Sequence, residues 1–245
     1  MIGADGAHSH IRELVFGPEV RFERYLGVKV AAFDVTGYCP RDELAYVMYS
    51  QPGRHVARFA MRDDRTLFLM IFADPDPTLP LALSSQKAVL RRRFERAGWE
   101  CRRILEALDS TNDLYFDRVS QIQMPVVGAS WTKGRAILIG DAAFCISLLG
   151  GQGASLAMAA AYVLAGELHR ANGDYISASA RYQELFQPVV ASKQRMARRV
   201  AGVLVPRTRT ALWLRDKACG LLTFKPVAQL LGAHGFSDKL LLPTY

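Results

Sequence analysis

GDAAFCISLLGGQGASLAMAAAYVLAGEL, Gly140 to Leu168, sets a carboxylate, a glycine-rich bend and a small-residue helix in immediate succession behind a short apolar run. That run, Ala136 to Ile139, follows the turn signal Lys133-Gly134, and a continuous apolar stretch of this length suits a strand covered on both faces. It stops at Gly140-Asp141. Ligands of open α/β sheets gather at the carboxyl ends of strands, so Asp141 is placed to accept from a ribose or ribityl hydroxyl. Gly150, Gly151 and Gly153 permit close backbone approach just before a helix whose free N–H groups favour negative charge. A phosphate or an electron-rich ring edge fits there. Within the helix Ala157, Ala161 and Ala165 recur every four residues, giving one face that can pack very close to something. A plain loop, or a tight helix–sheet contact, explains either feature alone. The combination points to a dinucleotide.

The opening MIGADGAHSHIR carries a second strand end that runs into an Asp-Gly turn, with Ser9 and Arg12 starting the next element. With both segments in view the chain resembles the class A flavoprotein monooxygenases, the aromatic-hydroxylase-like family that binds FAD and uses NAD(P)H as reductant. Asp5, Gly6, Ser9 and Arg12 match that family's D-G-x-x-S-x-x-R motif. Gly140 and Asp141, with Gly151, Gln152 and Gly153, match its GD motif. The resemblance implies that the aspartate contacts the FAD ribityl and that the loop lines the isoalloxazine. It assigns Asp5, Gly6, Arg12, Gly140, Asp141, Gly151, Gln152, Gly153 and Ala154 to cofactor binding.

The resemblance covers nearly the whole chain, the middle by layout only. Phe144 stands where the family often has histidine, Ile146 near a position of proline, and Ala159 to Ala161 where many members carry an acidic residue. The family's opening βαβ unit with G-x-G-x-x-G and a ribose-binding acidic residue has no counterpart here. The expectation is an N-terminally truncated flavoenzyme with severely reduced FAD affinity, since the pyrophosphate loses a glycine turn and the adenosine its ribose acceptor.

From about Arg21 to Phe72, VKVAAFDV, ELAYVMYS, HVARFAM and TLFLMIF read as strands of an antiparallel sheet, separated by Cys39-Pro40-Arg41-Asp42, Gln51-Pro52-Gly53 and Asp63-Asp64. A proline-rich break from Asp74 to Pro80 precedes a helix from about Ser84 to Ala97, capped by Ser84 or Ser85, and a shorter one from Cys101 to Leu108. A strand from Leu114 to Met124 ends at Pro125. Asp174 caps a long helix to about Val200, with Tyr182 and Phe186 on its apolar stripe and Pro188 as a kink point. Pro206 starts another helix through Leu222, and Gly232, Gly235 and Pro243 fall in the tail.

The fold class expected is mixed α/β (α+β): a partial FAD-binding Rossmann-like domain (1–17 and 119–172), an inserted antiparallel-sheet substrate domain (18–118) and C-terminal helices (173–245). In the resembled family such a sheet covers the flavin and walls the substrate pocket. Tyr46, Tyr49 and Phe68 are therefore the substrate candidates, while His55 and Arg58 are expected to face solvent.

Half of the 245 residues are hydrophobic, which argues against disorder. No run approaches the roughly 18 apolar residues of a membrane span, and the start lacks the plan of a signal peptide, so a cytoplasmic protein is expected. Cys39, Cys101, Cys145 and Cys219 lie without metal-ligand spacing and read as reduced structural thiols; no metal is expected. The net charge of +8 raises nucleic acid as a partner. Leu90, Phe94 and Ala97 recur at helical spacing around Arg91 to Arg93, however, leaving the arginines on a solvated face without interleaved aromatics. The partner expected is a small-molecule substrate.

The resemblance supplies the reaction: an FAD-dependent, NAD(P)H-using monooxygenase that inserts one oxygen atom into a small organic, aromatic substrate. The residues name no catalytic base. The same fold also serves flavin reductases, dehydrogenases and halogenases, and a non-catalytic remnant or binding module is a third reading.

Overall fold

A computed structural model of the chain describes residues 1–40, 42–124, 128, 130–221 and 242–245. In chain order the elements are β1 (Ile2–Gly3), α1 (His10–Phe16), β2 (Glu23–Thr36), β3 (Val47–Gln51), β4 (Arg54–Ala60), β5 (Arg65–Ala73), α2 (Leu83–Phe94), α3 (Cys101–Ser110), β6 (Tyr115–Ile122), β7 (Thr132–Lys133), β8 (Ala136–Leu138), α4 (Asp141–Phe144), α5 (Gly153–Arg170), α6 (Tyr175–Leu204) and α7 (Arg209–Leu221). The mixed α/β class is the one observed. The chain divides into two compact units: Met1–Leu26 with Ser120–Val200 and 242–245, and Gly27–Val119 with 201–221. The helices beyond residue 173 form no third unit, because α6 contributes its apolar stripe to the core of the first.

In the first unit the strand order is β1-β8-β7. β1 and β8 are parallel, Ile2 opposite Ile137 and Gly3 opposite Leu138. A Cβ on Gly3 would lie 2.6 Å from Leu138 Cδ2 and 2.9 Å from Ile11 Cγ2, so only glycine lets α1 and β8 close around this strand. Ala136, Ile137 and Leu138 are all buried, as a strand covered on both faces requires. Around them Trp131 packs on Phe144 at 5.0 Å and on Tyr182 at 5.5 Å, and Phe144 packs on Phe186 at 5.6 Å. Tyr182, Phe186 and Val190 recur every four residues along α6, which is why this long helix docks here.

Asp174 accepts from Ile176 N–H at 3.0 Å and Ser177 Oγ at 2.6 Å, capping α6 as its position suggests. Pro188 lies inside α6 without ending it. α5 buries Leu156, Ala159, Ala160, Val163 and Leu164, whereas Ala161 and Ala165 are exposed. The alanine repeat is thus not the helix's packing face.

The second unit's antiparallel sheet runs β3-β4-β5-β2-β6. Pairing of Ala31 with Met70 and of Met70 with Val56, and of Phe33 with Phe68, puts these side chains on one face. There they meet Leu90, Phe94, Cys101, Ile104 and Leu108 of α2 and α3 in one core. Val30, Ile71 and His55 share the opposite face.

Several boundaries shift. α2 starts at Leu83 with Ala82 at its N-cap and no side-chain cap, so Ser84 and Ser85 lie in its first turn, and it ends at Phe94 rather than Ala97. α3 runs on to Ser110, and β6 stops at Ile122. Pro125, Leu222, Gly232 and Gly235 lie outside the described residues. Arg91 pairs with Asp109, and Arg93 with Asp74 at 3.1 Å. Among the described residues no helix is long and apolar enough to cross a membrane, and no cluster of His, Cys, Asp or Glu could hold a metal ion.

Phe186, fully enclosed between α6 and α4, sets a test of the first unit's core. Phe186→Ala is expected to lower the unfolding free energy by about 3–5 kcal/mol, read from the urea midpoint.

Candidate functional site

Parallel pairing brings the carboxyl ends of β1 and β8 side by side. β1 leads through Ala4 into Asp5-Gly6, and β8 leads through Ile139 into Gly140-Asp141. Between these turns and the start of α5 lies a cleft of about 510 Å³, walled by Ala4, Gly6, Ile139, Gly140, Asp141, Gly153, Ala154, Ala157, Met158 and Ala161. Gly140 takes φ 59° and ψ −145°, a conformation open to glycine, and a Cβ on it would lie 3.1 Å from Ala157 Cβ. The close approach of α5 to the strand end depends on both small residues.

Asp141 begins α4 and stands beside Gly153, where a Cβ would lie 3.5 Å from its Oδ1. Among the described residues no protein group donates to the Asp141 carboxylate. Burial accordingly pushes its pKa up. A half-buried carboxylate without a donor costs stability and is not what folding alone selects. It is an acceptor held ready in a cleft walled by glycine, alanine and apolar side chains.

Asp5 has the opposite character. Its Oδ1 accepts from Ser9 Oγ at 2.5 Å and its Oδ2 from Ile11 N–H at 3.0 Å. Burial works to raise its pKa, but these hydrogen bonds outweigh it and hold the carboxyl below its usual range. Arg12 is fully buried. Its Nη1 donates to Ala142 O at 3.0 Å, and its Nη2 to Ala7 O at 2.7 Å and Glu19 Oε2 at 2.6 Å. Burial pulls the Arg12 pKa down, with Glu19 and Asp5 working against it.

Asp5 and Arg12 thus shape the cleft without lining it: Arg12 ties the Asp-Gly turn to the residue after Asp141. Of the other motif residues, Gly6, Gly140, Gly153 and Ala154 line the cleft. Gly151 closes the turn before α5, its N–H donating to Leu148 O at 3.2 Å, and Gln152 is the helix N-cap.

Ala4, Ile139, Ala157, Met158 and Ala161 complete the walls and were absent from the sequence-derived set. The alanine repeat already marked two of them. Gln121 and Gln194 carried no such signal. Gln121 Nε2 donates to Ile146 O at 3.0 Å and to Gln194 O at 2.9 Å, while Gln194 Nε2 donates to Ile122 O at 2.7 Å, so buried amides fix the backbone behind Asp141.

The substrate candidates do not gather. Tyr46 lines a separate cleft of about 690 Å³ in the second unit, with Leu44, Phe59 and Arg62 among its walls. Tyr49 lies on the other sheet face, stacked on Trp99 at 6.0 Å, its hydroxyl accepting from Gln51 Nε2 at 2.9 Å. Phe68 is wholly buried between Phe33 and Tyr38 and is a core residue.

His55 and Arg58 are buried, contrary to the solvent-facing expectation. β4 is flanked by β3 and β5, and both its faces are covered. His55 meets Ser50 Oγ at 2.9 Å and Tyr46 Oη at 3.2 Å. Arg58 donates to Glu100 Oε2 at 3.0 Å and Asp42 Oδ2 at 2.6 Å, and lies over the Trp99 ring.

The family described as FAD binding domain matches residues 1–174. A flavin-dependent monooxygenase from an unknown prokaryotic organism is 38% identical over 195 residues, covering 79% of this chain and 49% of that protein. Monooxygenase CTB7 of Cercospora beticola is 31% identical over 258 residues, covering 100% of this chain and 61% of that protein. The crystal structure of tetracycline destructase Tet(55) matches at a TM-score of 0.78 and 31% identity, covering 100% of this chain and 62% of that one. The chain spans about half the length of the curated relatives it matches.

Two measurements check the electrostatics. Arg12→Met takes the Arg12 donor from the Ala142 and Ala7 carbonyls and from Glu19 Oε2, and is expected to cost about 2–3 kcal/mol of stability in urea unfolding. Burial, with Arg215 second, holds the His55 pKa down from 6.5 to about 4. Between those values the unfolded chain binds the extra proton, so stability falls as pH drops, by up to about 3 kcal/mol. The raised Asp141 carboxyl contributes with the opposite sign. Comparing wild type with His55→Gln across the range isolates the histidine, and the variant is expected to show the shallower acid slope.

Proposed function

The chain belongs to the FAD-binding-domain family, and from that membership we propose that it serves an FAD-dependent monooxygenase reaction, taking reducing equivalents from NAD(P)H and inserting one oxygen atom into a small aromatic substrate. The observation that carries this reading is the Asp141 carboxylate, half-buried at the paired strand ends and without a donor among the described residues. The cleft residues fit FAD. Asp141 would accept from a ribityl hydroxyl, a charge-assisted bond that repays the desolvation of its charge. Gly153 and Ala154, opening an 18-residue helix, present backbone N–H groups that favour negative charge on a ring edge. Ala157 and Ala161 keep one wall low enough for a flat body, and Ile139 and Met158 exclude water.

When bound, FAD supplies the redox chemistry and the activation of oxygen. The chain's task is to orient and shield. Asp141 is the one ionisable side chain among the cleft-lining residues, and the role read for it is to hold the ribityl rather than to carry a proton. Tyr46 opens on the second unit's cleft and is the substrate candidate retained; Tyr49 and Phe68 are committed to packing. We place the protein in the cytoplasm, in keeping with its four free cysteines, of which Cys101 is buried with its thiol pushed up to about 11.

Asp141→Asn is expected to weaken FAD binding about 10- to 100-fold, the value of a hydrogen bond to a charged acceptor. Flavin fluorescence titration reads this. The flavin-free variant should be no less stable than wild type, because the substitution removes a desolvated charge. Unchanged affinity would remove Asp141 from the site. The reaction itself is checked on the FAD-loaded chain by oxygen-dependent NAD(P)H consumption and transfer of isotopically labelled oxygen to product. Halogenated or unoxygenated product would point to another flavin oxidoreductase.

A further inference from the structure

On the sheet face opposite α2 and α3, Arg215, Ser50, His55 and Tyr46 form a hydrogen-bonded file. Arg215 Nη1, from α7, donates to Ser50 Oγ at 3.2 Å. Ser50 Oγ lies 2.9 Å from His55 Nδ1, and His55 Nε2 lies 3.2 Å from Tyr46 Oη. His55 is fully buried. Tyr46, 48% exposed, packs against the Phe59 ring at 5.9 Å and opens on the cleft walled by Leu44, Phe59 and Ala60.

The first member gives the file its direction. A guanidinium only donates, so Ser50 Oγ accepts from Arg215. A hydroxyl polarised by a cation is the stronger donor, and hydrogen bonds in a chain reinforce one another, so the Ser50 O–H points to Nδ1. With its pKa held down to about 4, the imidazole is neutral near pH 7 and carries its single proton on Nε2. Nε2–H therefore donates to Tyr46 Oη. The phenol oxygen is thereby engaged as an acceptor, and its own O–H is left to point into the cleft.

We propose that this cleft is the substrate subsite, that Tyr46 is its directional hydrogen-bond donor, and that it takes a planar aromatic molecule bearing a carbonyl oxygen. His55, Ser50 and Arg215 are positioning residues, which act through Tyr46 and do not touch the ligand. Phe59 and Leu44 supply apolar surface for the aromatic body. The assignment deepens the substrate reading above, and its test needs neither flavin nor turnover, so the two can fail separately.

The probes are 9-fluorenone and fluorene, equal in shape and differing in the carbonyl. The full chain is expected to bind fluorenone about 5- to 10-fold tighter than fluorene, the range of one neutral hydrogen bond, and to lower the infrared carbonyl stretch. Tyr46→Phe should bring the ratio to about one and restore the stretch, while retained fluorene binding shows an intact cleft. Nitrogen NMR should find His55 protonated at Nε2, with Arg215→Met shifting the population toward Nδ1 and lowering the ratio. Binding of neither probe, a ratio unmoved by Tyr46→Phe, or an Nδ1-protonated His55 in the wild type would each overturn the proposal. Probe discrimination as expected in a chain that transfers no labelled oxygen would sink the monooxygenase reading alone.

Discussion

The parallel pairing of β1 with β8 is the constraint on which the Asp141 cleft depends. It is a short contact, Ile2 against Ile137 and Gly3 against Leu138, yet it sets two Asp-containing turns at adjacent strand ends. Arg12 then joins the consequences of that pairing. From a buried position it donates to Ala7 on one turn and Ala142 on the other, so the cleft walls keep their separation through a single planar fork. Gln121 and Gln194 do the same for the backbone behind Asp141. Arg12, Gln121 and Gln194 thus tie down the backbone around the site, while the Asp141 carboxylate has no donor among the described residues.

Asp5 and Asp141 occupy corresponding places, each just past a strand end, and environment separates their roles. Asp5 spends both carboxylate oxygens on its own turn, and its pKa falls. Asp141 receives no donor from the described residues, and burial pushes its pKa up. One is a structural cap and the other an open acceptor. A motif match assigns both to the cofactor, whereas the hydrogen bonds commit Asp5 to its own turn and leave Asp141 open to the cleft among the described residues.

What the sequence disclosed follows the same division between local and non-local causes. The β8 strand, the Gly140 break, the four sheet strands between Val28 and Phe72 and the Asp174 cap are legible because each is written in neighbouring residues. The faces of the sheet are not. Alternation says that Tyr49 and His55 point somewhere, but which side meets α2 and α3 depends on helices that begin only at Leu83, well downstream in the chain. Hence Phe68 was placed in a pocket and lies in the core, and His55 and Arg58 were placed in solvent and lie buried. Burial of Arg58 rests on Glu100 and Asp42, partners that no local pattern links to it. The alanine repeat of α5 is legible in the sequence, but its direction is not: Ala157 and Ala161 face the cleft because the bulkier Leu156, Val163 and Leu164 claim the core.

The β1–β8 contact also has a temporal side. Its partners are separated by 135 positions, so the two walls of the Asp141 cleft cannot meet until the intervening chain has been drawn into a closed loop. Closing a loop of that length costs about 4 kcal/mol of chain entropy and slows folding. A ligand that binds only the joined walls adds stability in proportion to the logarithm of its concentration over its dissociation constant. A molecule held between the Asp5-Gly6 turn and Asp141 would therefore stabilise a contact whose partners stand more than half the chain apart.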